Sequence, residues 1–456
     1  MDNKVLNYLK ENRTNHLKSL YDFLKIPSVS TDSAFKEDVK KAGQYVYNYL
    51  KEIGFSHLKT VETKGHPIIY GEYKGAGEDA PTVLLYGHYD VQPADPYDEW
   101  ESDPFTPEER NGRIYARGAS DDKGQVFMHL AVFEAFMKTE GKIPVNLKVV
   151  IEGEEEIGSE NLYDYLNNHK EKLAADFTVI SDSGMVAEGQ PTILYGLKGF
   201  TGIEIEVTGP DHDLHSGMYG GAVKNPAMAL AQILATMKNI DEYITVDGFY
   251  DDVENLTEEE RELIKNVEGE NYLKTTGTIQ TVSEKGYTAK EHTMARPTFE
   301  INGMYSGYQG EGTKTIIPST ATAKITCRIV PNQDPERIQD LLEKHIMEHK
   351  PEGVKVKVKK EKLSAKAYKV EPTHPLIMRA AESYERAFNK EAVFVRMGGS
   401  IPVVEWLDDL YGNPIVLLGF GTPDDRLHSP NESFPLNSFD LGMETLVHYW
   451  STFKKE

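Results

Sequence analysis

The sequence has too few cysteines for a disulfide-stabilised fold, since Cys327 is its single cysteine. One thiol excludes an intrachain disulfide and also excludes zinc sites built from several thiolates. Cys327 lies in the alternating run ATAKITCRIV, in phase with other small and apolar side chains. We therefore predict that it is a small apolar residue of the core.

Long apolar stretches are also missing. No apolar run approaches the roughly 20 residues that a helix needs to span a bilayer. The N-terminal stretch MDNKVLNYLKENRTNHLKSLYDFLK has Leu and Tyr at helical spacing among charges and lacks the apolar segment of a signal peptide. We expect no membrane partner and a cytoplasmic location.

Basic residues are outnumbered, because 50 Lys and Arg stand against 73 Asp and Glu and give a formal net charge of -23. A charge of this sign repels phosphate backbones, so we expect no nucleic-acid partner. The acidic surplus is compatible with cation binding. Acidic surfaces are also common in soluble cytoplasmic proteins, and solubility is the more ordinary reason for them.

The length of the chain, 456 residues, favours two or three compact units over one core. Strand patterns alternate with helical patterns up to residue 187 and again from residue 372, which predicts an α/β catalytic domain with a mixed sheet and helices on both faces. Residues 188–371 have exposed-face strand patterns and glycine-rich loops instead. We interpret them as a smaller α+β insertion, so that the larger domain consists of 1–187 and 372–456.

The run TVLLYGHYD, residues 82–90, ends a predicted strand with a histidine and an aspartate two positions apart. Strand side chains alternate between faces, so His88 and Asp90 should leave the strand on the same side. A metal-bound histidine usually donates its other ring N–H to a carboxylate, a role that suits Asp90. Taken alone, the motif is more often a solvated loop end.

Further polar residues follow other predicted strands or begin a helix in this α/β part. They are Asp121, Asp122, Glu154, Glu155, Glu156, Asp182 and His428. Sites of α/β sheets lie beyond the carboxyl ends of the strands. Two histidines and several carboxylates without thiolates suit zinc, manganese or cobalt, and they are too many for one ion. Two ions that share a carboxylate, about 3.5–4 Å apart, would use them. The alternatives are a helix cap for one aspartate and a solvated surface cluster for the glutamates.

Eight motifs in order, GHYDVQP, ARGASDDKGQ, EGEEEIGSENL, ISDSG, DLHSGMYGG, KTIIPS with CRIVPNQDP, GGSIP and LHSPNE, resemble the aminoacylase/carnosinase family of co-catalytic metallopeptidases. The likeness is greatest to its cytosolic dipeptidase branch, of the non-specific or Cys-Gly type, and extends over nearly the whole chain. It implies a catalytic α/β domain interrupted by a lid domain that mediates homodimerisation, which corresponds to residues 188–371 here.

The resemblance also implies which residues bind metal. His88, Asp121 and Asp182 would hold one divalent ion, either zinc or manganese. Asp121, Glu156 and His428 would hold the other, so that Asp121 bridges the two.

The resemblance assigns the catalytic roles as well. Glu155 would be the general base that accepts a proton from water and returns it to the leaving amine, while Asp90 would orient His88. His215 would stabilise the oxyanion from the lid of the partner subunit. Asp122 is left to cap the helix or to support the ligands, and Glu154 falls at a variable position of the motif.

Substrate binding is implied for three residues of the remaining motifs. The guanidinium of Arg328 would bind the free C-terminal carboxylate of a dipeptide, and Thr315 and Ser400 would make further substrate contacts. The implied activity is hydrolysis of dipeptides by metal-activated water. Two alternatives remain, an N-acyl-amino-acid deacylase or desuccinylase on the same metal core, and a metal-binding scaffold without turnover.

Overall fold

A computed structural model of the chain describes residues 3–267 and 272–454. The helices, numbered in chain order, are α1 (Asn3–Glu11), α2 (Arg13–Leu24), α3 (Lys36–Ile53), α4 (Lys123–Glu140), α5 (Leu162–Asn168), α6 (Lys170–Leu173), α7 (Ser216–Tyr219), α8 (Pro226–Ala235), α9 (Glu258–Asn266), α10 (Tyr272–Thr276), α11 (Ala289–Ala295), α12 (Pro335–His349), α13 (Pro375–Phe388), α14 (Pro402–Tyr411) and α15 (Leu436–Ser451). None of the helices in these two ranges is long and apolar enough to cross a membrane.

The strands, in chain order, are β1 (Ser56–Val61), β2 (Ile68–Tyr73), β3 (Thr82–His88), β4 (Glu108–Arg110), β5 (Arg113–Tyr115), β6 (Asn146–Glu152), β7 (Phe177–Ile180), β8 (Thr192–Leu197), β9 (Gly199–Thr208), β10 (Leu214–His215), β11 (Thr298–Ser306), β12 (Ile316–Ile317), β13 (Thr320–Ile329), β14 (Lys355–Lys360), β15 (Tyr368–Lys369), β16 (Val393–Met397), β17 (Ile415–Leu417) and β18 (Ser433–Pro435).

The described chain forms two compact units. Unit 1 contains the residues up to Tyr195, residues 370–395 and the residues from Trp406 onward, whereas unit 2 contains 196–369 and 396–405. The segment 396–405 therefore belongs to unit 2, although the residues on either side of it belong to unit 1. The sequence division at 187/188 and 371/372 had placed this segment in the larger domain. The expected lid and dimerisation roles of the inserted part stay predictions.

Unit 1 is built on a mixed sheet, in which seven strands run in the order β1-β2-β6-β3-β7-β17-β8. The four neighbours β6, β3, β7 and β17 are parallel. Antiparallel pairs flank them, β1 with β2 and β2 with β6 on one side and β17 with β8 on the other. The α/β fold with a mixed sheet is thereby confirmed, and the carboxyl ends of four parallel strands meet at one edge.

Helix α4 lies against this sheet, and all of its first fourteen residues, 123–136, are buried except the partly exposed Glu134. Gly87 of β3 permits the close approach. A Cβ atom at Gly87 would lie 2.6 Å from Cγ2 of Val126 and 3.0 Å from Oδ2 of Asp122, closer than van der Waals contact allows. The glycine before His88 therefore lets the start of α4 reach the end of β3.

Unit 2 contains a four-stranded antiparallel sheet in the order β11-β13-β9-β14. Apolar residues of β9 and β13 form its core with those of α8 and α12, and the core includes the fully buried Cys327, as predicted. At one edge of the sheet, β14 exposes Lys355, Lys357 and Lys359. Charge on an edge strand opposes pairing with another chain.

Candidate metal centre

Strand ends of unit 1 place the predicted ligands at one edge of the sheet. His88 is the last residue of β3, Asp182 follows β7, and Glu156 follows β6. These three strands are parallel neighbours, so their carboxyl ends lie side by side. Asp121 comes just before α4, and His428 lies in the loop between β17 and β18. Residues from five separate parts of the sequence therefore converge.

His88 is completely buried and has carboxylates next to both ring nitrogens. Its Nε2 lies 3.1 Å from Oδ1 of Asp121 and 3.8 Å from Oδ2 of Asp182. Its Nδ1 lies 3.1 Å from the main-chain oxygen of Asp90 and 3.4 Å from the Oδ1 of that residue. A proton on Nδ1 is donated to Asp90, which leaves Nε2 directed at the other two carboxylates.

The second oxygen of Asp121 belongs to another cluster. It lies 3.0 Å from Nε2 of His428, which in turn is 3.4 Å from Oε2 of Glu156. The ligand atoms of His88, Asp121 and Asp182 all lie within 4.8 Å of one another, and the same holds for Asp121, Glu156 and His428. Asp121 is the member that the two groups share.

The carboxylates here are buried close together, which opposes ionisation. Burial raises the pKa of both Glu155 and Glu156 to about 9 and that of Asp182 to about 6. Burial acts on Asp121 in the same direction, but hydrogen bonds from His428 and His88 outweigh it and hold the pKa of Asp121 below its usual value. Positive charge between these groups would stabilise all of them in the ionised form.

The donor set fits divalent metal ions. Each group offers one imidazole nitrogen and two carboxylate oxygens at distances that one ion can bridge. Imidazole and carboxylate ligands suit zinc and manganese, and the single thiol of the chain, Cys327, lies in the core of unit 2. Cations at both groups would also neutralise acidic side chains that otherwise repel each other.

Asp90 connects two parts of this centre. Its main-chain oxygen accepts the hydrogen bond from His88. Its two carboxylate oxygens accept hydrogen bonds from the main-chain N–H groups of Glu155, at 3.2 Å, and Glu156, at 3.1 Å. Asp90 therefore orients the imidazole mainly through its main-chain oxygen, with its carboxylate 3.4 Å from the ring, and its carboxylate holds the loop that carries both glutamates.

Two neighbouring acids have other roles. Asp122 occupies the N-cap position of α4 but makes no capping hydrogen bond with its side chain. Instead, its Oδ2 accepts a hydrogen bond from the main-chain N–H of His88 at 3.2 Å, so of the two roles left to it, the structure favours support of a ligand over helix capping. Glu154 accepts hydrogen bonds from the main chain of His66 and from the side chain of Asn161, which makes it a buried structural residue.

The four predicted substrate-contact residues lie in unit 2, in two pairs. His215 and Thr315 are brought together by the β10–β12 ladder, in which the N–H of Ser216 donates to the main-chain oxygen of Thr315 at 3.0 Å. His215 is exposed, and its Nδ1 accepts a hydrogen bond from a main-chain N–H two residues on. In the other pair, Nη1 of the exposed Arg328 donates to Oγ of Ser400 at 2.9 Å.

Sequence reasoning missed two residues that support the centre. The Nε2 of Gln92 donates to Oε2 of Glu156 at 2.7 Å. The buried carboxylate of Glu432 accepts hydrogen bonds from the segment that contains Asp121. Both belong to motifs that were quoted, GHYDVQP and LHSPNE, so their position within four residues of a predicted ligand is the signal that could have found them.

Comparisons with known proteins show what the chain is similar to. The model of peptidase family M20/M25/M40 matches residues 84–452 of the chain. The Cys-Gly metallodipeptidase of Schizosaccharomyces pombe is 30% identical over 98% of this chain and 97% of its own. The human Beta-Ala-His dipeptidase is 31% identical over 80% of this chain and 73% of its own. A solved metallo-carboxypeptidase of the M20 family from Sulfolobus solfataricus has a TM-score of 0.81 at 32% identity, over 96% of this chain and 99% of that one.

Replacing Asp90 with asparagine tests the support of the centre. The asparagine would keep one acceptor oxygen but direct an NH2 group at a main-chain N–H whose hydrogen bond Asp90 now accepts. We expect the affinity for zinc or manganese to fall about 10- to 100-fold, the range found when partners of metal ligands are removed. Competition with a chromophoric chelator measures this. Asp98→Asn, on an exposed side chain, is the control, and equal metal affinities in both variants would contradict the supporting role.

Proposed function

The chain belongs to peptidase family M20/M25/M40, which confirms the resemblance read from its motifs, and we propose that it is a dipeptidase that uses two divalent metal ions. As a member of this family, it is a metal-dependent hydrolase. The observation that carries the proposal is that Asp121 is shared by two groups of ligand atoms, each with one histidine and two carboxylates. We propose that the substrates are dipeptides with a free C-terminal carboxylate.

His88, Asp121 and Asp182 would hold one ion, and Asp121, Glu156 and His428 the other. The ions are zinc or manganese, since both accept this donor set. When bound, they would polarise the amide carbonyl and lower the pKa of a water molecule.

Glu155 is the proposed general base. It lies directly beside Glu156, yet it belongs to neither group of ligand atoms among the described residues, so its carboxylate is available for proton transfer. Burial raises its pKa, which makes the ionised carboxylate a stronger base. It takes the proton of the attacking water and delivers it to the amine nitrogen as the C–N bond breaks, and the hydroxyl oxygen remains on the new carboxylate.

Arg328 is the proposed anchor of the substrate carboxylate. A guanidinium binds a carboxylate with two parallel hydrogen bonds, and Arg328 is exposed, so its remaining donors are accessible. Ser400 fixes its orientation, because its Oγ accepts from Arg328 and donates to the main-chain oxygen of Lys198 at 2.5 Å. Thr315 and His215 are proposed as further contacts, with His215 stabilising the oxyanion.

A homodimer through unit 2 is part of the proposal. One edge of its sheet is protected by the lysines of β14, but the other, β11, exposes apolar side chains at Ile301, Met304 and Tyr305. An exposed apolar edge strand favours pairing with another copy of the chain. In such a dimer, His215 would act on the partner subunit. The cytoplasmic location stays a prediction of the sequence.

The relatives guide the choice of substrates. Cys-Gly and β-Ala-His are the dipeptides in the names of two relatives, and the name of a 32% identical solved structure, a carboxypeptidase, suggests longer peptides as a second candidate class. Both classes end in a free carboxylate that Arg328 could bind. A panel of dipeptides, tripeptides and N-acetyl amino acids, compared by kcat/KM, separates dipeptidase, carboxypeptidase and deacylase.

Glu155→Gln should abolish most hydrolysis without removing metal. The amide is nearly the same size but cannot accept the proton, and we expect kcat to fall about 100- to 10,000-fold. Metal content measured by inductively coupled plasma mass spectrometry should be unchanged. The exposed Glu160→Gln is the control, and full activity of Glu155→Gln would show that the base lies elsewhere.

Arg328→Ala should weaken catalysis only on substrates with a free carboxylate. Hydrogen bonds to charged groups contribute about 1.5–3 kcal/mol, so kcat/KM on a dipeptide should fall about 10- to 100-fold. The corresponding dipeptide amide should be a poor substrate of the wild type and no poorer for the variant. Lys324→Ala, on the same exposed face of β13, is the matched control. An equal loss on acid and amide would reject carboxylate binding by Arg328.

His215 gives a test of action across a dimer. His215→Ala and Glu155→Ala chains should each be inactive, but mixing them should restore up to about a quarter of wild-type activity, because half of a random mixture is heterodimer and one of its two sites is intact. Exchange of subunits is verified by native mass spectrometry with one chain isotopically labelled. Heterodimers without activity would reject the role of His215 in the partner's site.

A further inference from the structure

Two loops of unit 1 must meet for the second group of ligand atoms to form. One is the segment 117–121, which ends with Asp121, and the other is 428–432, which begins with His428. The two ligands are 307 residues apart in the chain, and their ligand atoms lie 3.0 Å apart. The side chain of His428 is 55% exposed, so packing around the imidazole contributes little to its position.

Glu432, at the end of the second loop, is buried. Its Oε1 accepts hydrogen bonds from the main-chain N–H groups of Ser120, at 3.0 Å, and Asp121, at 3.1 Å. Its Oε2 accepts from the N–H of Gly118 at 3.0 Å and from Nη1 of Arg117 at 2.8 Å. One carboxylate thus receives four hydrogen bonds from the loop that carries Asp121.

The pairing with Arg117 is buried as well, since only 1% of each side chain is exposed. Removing two charges from water is costly unless hydrogen bonds satisfy both groups, and a buried ion pair is often no more stable than apolar packing. The buried ion pair of Arg117 and Glu432 is therefore not explained well by a gain in the stability of the folded protein. Fixing the geometry of the two loops is a better explanation.

The loop 428–432 is held from a second side. The side-chain amide of Asn431 donates to the main-chain oxygen of Glu99 at 2.8 Å, and its Oδ1 accepts from the N–H of Glu101 at 2.8 Å. The next residues form β18, which pairs with β5. The end of this stretch that contains Asn431 and Glu432 is thereby constrained, and the carboxylate of Glu432 connects it to the main chain of the other ligand loop.

We propose that Glu432 is a positioning residue that sets the separation of Asp121 and His428 and thereby the affinity of the centre for its second ion. The inference rests on the proposed function, because it assumes that two ions bind. Asp121 and His428 are two of the three ligands in the second group, whereas the first group contains only Asp121. A disturbance of Glu432 therefore weakens one ion more than the other.

Glu432→Gln is the informative variant. Glutamine has nearly the same size, but its NH2 group must face N–H groups whose hydrogen bonds the carboxylate now accepts. Titration of the metal-free chain with Zn²⁺ or Mn²⁺ alone, by calorimetry and chelator competition, should show two ions in the wild type. In the variant, the affinity for one ion should fall about 10- to 100-fold, with a smaller change for the other. Saturating metal should restore kcat, with KM for a dipeptide unchanged.

Glu284→Gln in unit 2 is the matched control. Glu284 is a buried glutamate that accepts hydrogen bonds from Nε, at 3.0 Å, and Nη2, at 2.8 Å, of the buried Arg296. The variant Glu284→Gln should lower the free energy of unfolding without changing the affinity for either metal ion. If Glu432→Gln is destabilised in the same way but binds both ions as tightly as the wild type, the proposal is overturned.

A second variant, Glu432→Asp, tests the proposal if Glu432→Gln does not fold. This variant retains the charge but is one methylene shorter, so it cannot reach both Gly118 and Asp121. The same selective loss of one ion is expected, and unchanged binding of both ions overturns the proposal. A wild-type chain that binds no second ion would instead contradict the proposed function, a failure visible before any variant is made.

Discussion

The centre depends on one carboxylate, that of Asp121, which faces a different histidine with each of its oxygens. Oδ1 lies 3.1 Å from His88 and Oδ2 lies 3.0 Å from His428. A carboxylate used on both sides cannot rotate towards one neighbour without leaving the other. The positions of the two histidines are therefore linked, and each contact that holds one of them also affects the distance between the two groups of ligand atoms.

The fold meets this requirement with main-chain hydrogen bonds to buried carboxylates. Asp90 accepts from the loop after β6, Asp122 from the end of β3, and Glu432 from the segment before α4. Hydrogen bonds to charged groups contribute about 1.5–3 kcal/mol each, more than neutral ones, so a few of them can order loops that have little apolar surface to bury. Gly87 adds the close approach of α4 to β3. The ligands are thus held through their own main-chain N–H groups, which donate to neighbouring carboxylates, and their side chains remain available for cations.

The sequence predicted the strand ends well, because buried parallel strands are short apolar runs and the polar residues that follow them are conspicuous. His88, Glu156 and Asp182 are brought together where those runs end, although their roles as metal ligands stay predictions. The supporting residues could not be found in this way. Glu432 and its N–H partner Gly118 are 314 residues apart, and a contact of that kind depends on the tertiary fold. For Asp122, the sequence left helix capping and support of the ligands open, and only the approach of β3 in the fold decides between them.

The segment 396–405 of unit 2 supports the proposed substrate contact at Arg328. The segment is anchored at its start by an ion pair between the buried residues Arg396 and Glu260, and it then brings Ser400 to Arg328. Returning to an earlier unit costs little, because the entropy of loop closure grows slowly with loop length. The segment could pack on unit 2 without placing any residue next to Arg328, so the contact of Ser400 is a separate feature. The oxygen of Ser400 accepts from one guanidinium nitrogen and leaves the others free, which restricts the side chain without consuming its capacity to bind a carboxylate. Recognition of the substrate would therefore depend on how firmly a distant part of the chain packs into unit 2, and substitutions at Glu260 or Arg396 would act on Arg328 without contacting it.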